Sequence, residues 1–176
     1  MNAMRIDIPV LETERLILRA PSIDDFEAET AFYATARSQG VGGPHPVETV
    51  WQKLCERLGQ WVMLGYGVWA LDDKATGTYL GRVGILNPHE WPERELAWTL
   101  MAGAEGKGMA MEACLAVRDY VYRTHGWTTL MSVIMPPNTR SCALARRLGC
   151  WHEKDWEHPT HGTLNIWRHP GPEQLA

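Results

Sequence analysis

Apolar positions recur along this chain in two periods, and the order in which the periods alternate predicts its architecture. Residues 11–19 alternate with Leu16 and Leu18 on one side, as a half-buried strand does. Ser22 followed by Asp25 reads as a capping box, and Phe26, Thr30 and Tyr33 then keep helical spacing, which predicts a helix reaching about Arg37. A Gly- and Pro-rich loop over 40–46 separates it from a second helix over 47–64, carried by Val50, Leu54, Leu58 and Trp61. Strands follow at 66–71, 78–86 and 94–101, with a turn at Asp72, Asp73 and Lys74. The long helix spans 108–125, with Ala110, Cys114, Val117 and Val121 facing the core and Glu112, Arg118, Asp119 and Arg123 toward solvent. A near-continuous apolar strand over 128–135, a short helix capped by Asn138 and ending at Gly149, and a hairpin of 150–158 with 163–168 complete the chain. A strand meander followed by strand–helix–strand means an α/β fold: a mixed sheet with helices on both faces.

Composition narrows the function classes. A chain of 176 residues without repeat, low-complexity tract or linker reads as one domain, residues 1–176. The net charge of −4 with no basic run argues against nucleic acid as a partner and mildly suits a cationic ligand. No apolar stretch approaches a membrane span, and residues 1–7 lack a signal-peptide core, so the expectation is no membrane partner and a cytoplasmic location. Cys55, Cys114, Cys142 and Cys150 lack metal spacing and read as free thiols of a reducing compartment. His158 and His161 form the one close histidine pair, with no further ligand beside them, so no metal is expected. Of the nine tryptophans, Trp51, Trp61 and Trp91 are candidates for the wall of an acceptor cleft, with core packing as the plainer reading.

The segment most telling of chemistry is Glu105-Gly106-Lys107-Gly108-Met109-Ala110-Met111-Glu112-Ala113. Two glycines one residue apart, between a strand and a long helix, let the backbone turn tightly and present the free N–H groups of the first helical turn to an anion. The loop is not that of a nucleotide hydrolase, because glycine follows Gly106-Lys107 where Lys-Ser/Thr would be required. A dinucleotide-binding fold is also disfavoured, since a strand meander precedes the glycines and the third spaced glycine is missing.

These motifs resemble the GNAT acetyltransferase superfamily. Gly106 and Gly108 match the glycines of its central motif, although Gly103 stands at the usual Arg/Gln position, Glu105 precedes the first glycine, and Cys150 replaces the usual Phe. Residues 11–19, residues 106–113, and Asn138-Thr139-Arg140-Ser141 with Leu148-Gly149 are similar to the ribosomal-protein N-terminal acetyltransferase (RimJ/RimL-like) branch, a likeness covering roughly residues 11–168. The resemblance implies a GNAT-like three-layer fold with a central, mostly antiparallel, twisted sheet. It implies acetyl-CoA as cosubstrate and leaves a homodimer open. Its pyrophosphate would meet the backbone of Gly106, Lys107, Gly108, Met109 and Ala110. Its pantetheine arm would pair with the strand end at Trp98, Thr99 and Leu100, where that strand splays from the next, and would meet Asn138.

Direct acetyl transfer needs a neutral amine, hence a group that takes a proton. Glu95 is the first candidate base by resemblance, Glu93 the second; the plain alternative is that Glu93-Arg94-Glu95 is a solvated charge cluster. Ser141 is the candidate proton donor to the CoA thiolate, and otherwise a residue of the first turn after Asn138. Two functions follow: an acetyl-CoA-dependent N-acetyltransferase acting on a protein N-terminus or a small amine, or a non-catalytic acyl-CoA-binding module, favoured by Gly103 and Glu105.

Overall fold

The computed structural model describes residues 6–176; the first five positions, part of the expected domain and of the segment searched for a signal core, lie outside the described residues. Eight strands form one sheet: β1 (Leu11–Glu12), β2 (Leu16–Arg19), β3 (Val68–Asp73), β4 (Tyr79–Leu86), β5 (Glu95–Leu100), β6 (Met131–Ile134), β7 (Trp151–His158) and β8 (Gly162–Arg168). Their order is β1-β2-β3-β4-β5-β6-β8-β7, antiparallel throughout except for β5 with β6. The main helices are α1 (Phe26–Tyr33), α2 (Val47–Leu64), α3 (Met109–His125) and α4 (Thr139–Arg147), with a terminal turn α5 (Pro172–Leu175). This is the mixed sheet with helices on both faces that the pattern predicts, and its mostly antiparallel order is the one the resemblance implies.

The period-two alternation of the strands divides the core. Leu16, Leu18, Trp69, Leu71, Val83, Ile85 and Leu96 point to one face, where Ala113, Cys114, Val117 and Val121 of α3 cover them. Burying each such aliphatic side chain contributes roughly 1.5–3 kcal/mol. On the other face Arg82 stands opposite Thr99, Gly84 opposite Ala97 and Leu86 opposite Glu95, so these three rows share a side. The helices α1 and α2 lie over it, sealed by a smaller cluster of Phe32, Tyr33 and Val50.

Several expectations are corrected. The first helix stops at Tyr33, not near Arg37, and a 3-10 segment over Ala36–Val41 follows. The capping box of Ser22 and Asp25 forms, but it caps a short 3-10 turn, Ile23–Asp25, that leads into α1. The first strand is broken at 13–15, where Thr13 and Arg15 turn to meet Glu112 of α3. Glu112 is therefore engaged, not free in solvent. Arg118 is buried and donates to the Leu148 carbonyl at 2.7 Å, tying α3 to the end of α4. The strand expected over 128–135 narrows to Met131–Ile134.

Candidate active site

The only register at which β5 and β6 pair is Glu95 with Met131. Ser132 adds one further tie, its hydroxyl donating to the Leu96 carbonyl at 2.6 Å. Beyond it the two parallel strands part, and Val133, still paired with Ile166 of β8, has no partner on β5. The Glu95 carboxylate fills the wedge: Oε1 accepts from the Val133 N–H at 3.2 Å and Oε2 from the Trp91 indole N–H at 2.6 Å. Glu95 is only 6% exposed, so it is no member of a solvated charge cluster. Burial pushes its carboxyl up to about 7, against the opposing pull of the two N–H donors. Neither donor is charged, which is why burial wins. Glu93, in the bend before β5, is instead held by Arg168 at 2.7 and 2.8 Å, and that guanidinium keeps its carboxyl below the usual range.

The wedge opens into a cavity of about 1000 Å³. Glu95, Trp98, Thr99, Asn138 and Ser141 all line it. Asn138 caps α4, its Oδ1 accepting from the Ser141 N–H at 3.2 Å, while its side-chain amide donates to the Gly40 carbonyl at 3.3 Å. Ser141 Oγ accepts from the Trp98 indole N–H at 3.2 Å, which leaves the hydroxyl proton free to be donated elsewhere. Of the three tryptophans considered as cleft walls, only Trp91 lines the cavity. Trp61 is in the core with its indole N–H on the Val68 carbonyl, and Trp51 is surface-exposed against Phe26.

Leu100 does not line the cavity; it packs on the α3-side core, as do Ala110 and the buried Met109 side chain. Gly106, Lys107 and Gly108 are exposed at the entry to α3. Gly106 and Gly108 have φ of 72° and 78°, left-handed values that a side chain resists. Gly108 is the N-cap of α3, and the first N–H of the helix with a protein acceptor is that of Glu112, on the Gly108 carbonyl at 3.1 Å. The N–H groups of Met109, Ala110 and Met111 have no acceptor among the described residues, which is the arrangement an anion can use. Arg15 steadies this turn by donating to the Lys107 carbonyl at 2.8 Å.

Pattern reading missed two charged assemblies. Glu105 lies between Arg37 at 2.7 Å and Arg140 at 3.2 Å, so its charge is neutralised rather than aimed at the glycine turn. Behind the cavity, Glu29 of α1 is fully buried, accepting from Arg82 and from the Tyr79 hydroxyl at 2.6 Å, with Arg57 of α2 at 3.3 Å. Burial alone would raise Glu29, but the two guanidiniums outweigh it and hold the carboxyl below its ordinary value. A charged residue on the Phe26/Thr30/Tyr33 stripe and an arginine inside the apolar strand 78–86 were the available signals. No cluster of three or more His, Cys, Asp or Glu side chains able to hold a metal occurs among the described residues. All four cysteines are free, and burial pushes Cys150 up to about 12 and Cys114 higher still, away from nucleophilic use.

A family model described as an acetyltransferase (GNAT) domain matches residues 15–150. The uncharacterised protein YkkB of Bacillus subtilis is 30% identical over 111 residues, covering 60% of this chain and 59% of that protein, so the match spans less than two thirds of the relative's length. The crystal structure of an acetyltransferase from Agrobacterium tumefaciens is 37% identical, superposes with a TM-score of 0.86, and covers 96% of this chain and 98% of its own. RimL, a ribosomal L7/L12 α-N-protein acetyltransferase solved with coenzyme A, is 14% identical with a TM-score of 0.76, covering 92% of this chain and 98% of its own, a likeness of fold alone.

Proposed function

The chain belongs to the GNAT acetyltransferase family, and we propose that it moves the acetyl group of acetyl-CoA directly onto a primary amine. The observation that carries this reading is Glu95: a buried carboxyl, titrating near neutrality, at the point where β5 and β6 part and a large cavity begins. Such a group is ionised often enough near pH 7 to take a proton, yet basic enough to hold it. Acetyl-CoA supplies the activated acyl group. The free N–H groups at Met109, Ala110 and Met111, reached through the turn of Gly106, Lys107 and Gly108, fit its pyrophosphate. The unpaired edge of β5 at Trp98, Thr99 and Leu100 offers main-chain groups to the pantetheine arm, and Asn138 sits across the gap.

In the proposed step Glu95 takes a proton from the acceptor ammonium, directly or through a water. The freed nitrogen lone pair forms the new bond to the acetyl carbon as the carbon–sulfur bond breaks. Ser141 Oγ–H, oriented by the Trp98 indole N–H, gives its proton to the departing thiolate and is restored by the second proton that the acylated nitrogen sheds as it becomes the amide. The acceptor is a protein N-terminus, as the RimL likeness suggests, or a small amine. The reading as a non-catalytic acyl-CoA-binding module leans on Gly103 and Glu105; the pairing of Glu105 with Arg37 and Arg140 weakens the second ground and leaves the first, Gly103 at the usual Arg/Gln position, for the binding experiment to decide.

Calorimetric titration with acetyl-CoA, free CoA serving as comparison, tests the first half. One-site binding weakened by Gly108→Trp supports the cofactor site; no binding at millimolar ligand sinks it. Turnover then tests the roles. Glu95→Gln and Ser141→Ala should each lower it with acetyl-CoA affinity intact, and unchanged rates in both would remove these residues from the mechanism.

A further inference from the structure

The acceptor end of the cavity carries a charge that the net charge of the chain hides. Arg57 and Arg82 both line it, and the carboxylate nearest to them, Glu29, does not. Arg82 makes three hydrogen bonds: Nη1 donates to both oxygens of Glu29 and Nη2 to the Tyr33 hydroxyl at 2.8 Å. Arg57 makes none with the described residues. Its side chain is only 10% exposed, yet its one ion-pair contact among the described residues is Glu29 Oε2 at 3.3 Å. A guanidinium has five N–H donors in a planar fork, so Arg57 keeps donors to spare. Two guanidiniums thus share the one buried carboxylate of Glu29, and the Arg57 fork is left incompletely paired on the cavity wall. The second nearby anionic group, Asp25, lines a small adjoining space with Arg57 and Arg82, but it is bonded to Arg19 at 2.7 Å, which also pairs with Asp72 at 2.6 Å, and it makes no ion pair with Arg57. Lys53 and Glu56, also on the cavity wall, offset each other. Burial and the repulsion of Arg82 both hold the Arg57 pKa below its ordinary value, opposed by Glu29, so an incoming anion would relieve it.

The opposite end of the same cavity is Glu95. The row of Arg82 and Thr99 lies four residues along the strands from the row of Leu86 and Glu95, about 13 Å. The row between holds only Gly84 and Ala97, so nothing larger than a methyl group rises from the floor there. The cavity therefore has a carboxyl at one end, a cation with unused donors at the other, and a bare floor between. We propose that the acceptor is a small molecule with an amine at one end and an anionic group, carboxylate or phosphate, at the other, and that Arg57 binds the anionic end. This deepens the amine-acetyltransferase reading and rests on it.

The test uses the whole chain and matched probes: 4-aminobutyrate and 6-aminohexanoate, their uncharged amides, and aminoalkyl phosphates of the same length. Binding of each to the protein saturated with CoA is read by calorimetry, and acetylation by kcat/KM. The wild-type chain should favour the anionic member of each pair at least tenfold. Arg57→Gln should reduce that preference to about onefold with acetyl-CoA affinity unchanged, and Arg57→Lys should restore part of it. In Arg57→Gln the Glu29 carboxylate keeps Arg82 and Tyr79, so the network stays paired, and an unchanged melting curve confirms that the fold is intact. Equal or absent binding of charged and uncharged probes overturns the inference, as does an anion preference that survives Arg57→Gln. If acetyl-CoA itself fails to bind, the acetyltransferase reading falls; if it binds and only the neutral amines react, the anion site alone falls. A preference for phosphate over carboxylate, or the reverse, identifies which anion the arginine takes.

Discussion

Glu29 and Glu95 are two buried carboxyls on the same side of one sheet, and their protons behave in opposite ways. Glu29 meets Arg82, Arg57 and the Tyr79 hydroxyl, and its carboxyl is held below the ordinary value. Glu95 meets one indole and one backbone N–H, both neutral, and its carboxyl rises to about 7. Burial is shared; the charge of the partner differs. A carboxylate facing cations is locked in one state and can serve as structure, while one facing neutral dipoles remains free to exchange a proton near neutral pH. The first fixes the positions of Arg57 and Arg82 behind the acceptor end, and the second is poised for chemistry.

The sharpest way to break this contrast is to delete each charge. Glu29→Ala leaves two buried guanidiniums without a counter-ion, and should cost about 3–5 kcal/mol of unfolding free energy. Glu95→Gln removes a charge that no cation accompanies, so it should not destabilise the fold and near pH 7 should raise stability by up to about 3 kcal/mol, while activity falls at least about 100-fold. Urea unfolding midpoints of the two variants beside turnover read both effects. Comparable destabilisation in both would mean that Glu95, too, is chiefly a structural cap for Val133.

The pH dependence of stability should slope in opposite directions for the two groups. Glu95 has a folded pKa raised from 4.5 to about 7, so its contribution is fully present below pH 4.5 and is lost as pH rises toward 7. The loss should total about 3 kcal/mol, and Glu95→Gln should abolish it. Glu29 has a depressed folded pKa, so its contribution is present above the unfolded value of 4.5 and is lost as pH falls below it, through the folded pKa. Unfolding curves of each variant minus the parent, collected from pH 3 to 9, isolate the two limbs. A Glu95→Gln difference that is flat between pH 4.5 and 7 would mean that the burial of Glu95 does not perturb its proton.

This comparison also explains what was legible in the sequence. The helix over 47–64 and the strands over 78–86 and 94–101 announce themselves because each rests on its own local period, and the structure places elements there. The glycine turn before α3 is legible for the same reason: positive φ at Gly106 and Gly108 is a local demand that the residue type satisfies. The Glu29 network is built from residues 29, 57, 79 and 82 of three separate elements, and no window along the chain contains it. The polarity of Arg118 points it toward solvent in any local window, because the acceptor that lets it be buried, the Leu148 carbonyl, lies 30 residues away. Glu95 stood between two readings because Glu93-Arg94-Glu95 looks the same whether solvated or buried. What separates Glu93 from Glu95 is that Arg168 returns on β8 to claim the first, while the parting of β5 and β6 draws in the second.

The finest test leaves both carboxyls in place and alters one donor. Trp91→Phe keeps an aromatic ring against Trp156 and His158 but removes the indole N–H that reaches Glu95 Oε2 at 2.6 Å. That bond favours the ionised carboxylate, so its loss should push the Glu95 proton still higher. A hydrogen bond to a charged group contributes roughly 1.5 kcal/mol, which corresponds to about one pH unit. If Glu95 is the base, kcat/KM rises with pH through about 7 in the parent chain, and that limb should move upward by about one unit in Trp91→Phe. The rate on the high-pH plateau should change far less than the midpoint, because the base is then fully ionised in both proteins. A purely structural indole would lower the plateau and leave the midpoint where it was. The two outcomes differ in shape as well as size, so one pH–rate profile decides whether the neutral donors around Glu95 set its proton affinity as the cations around Glu29 set the other.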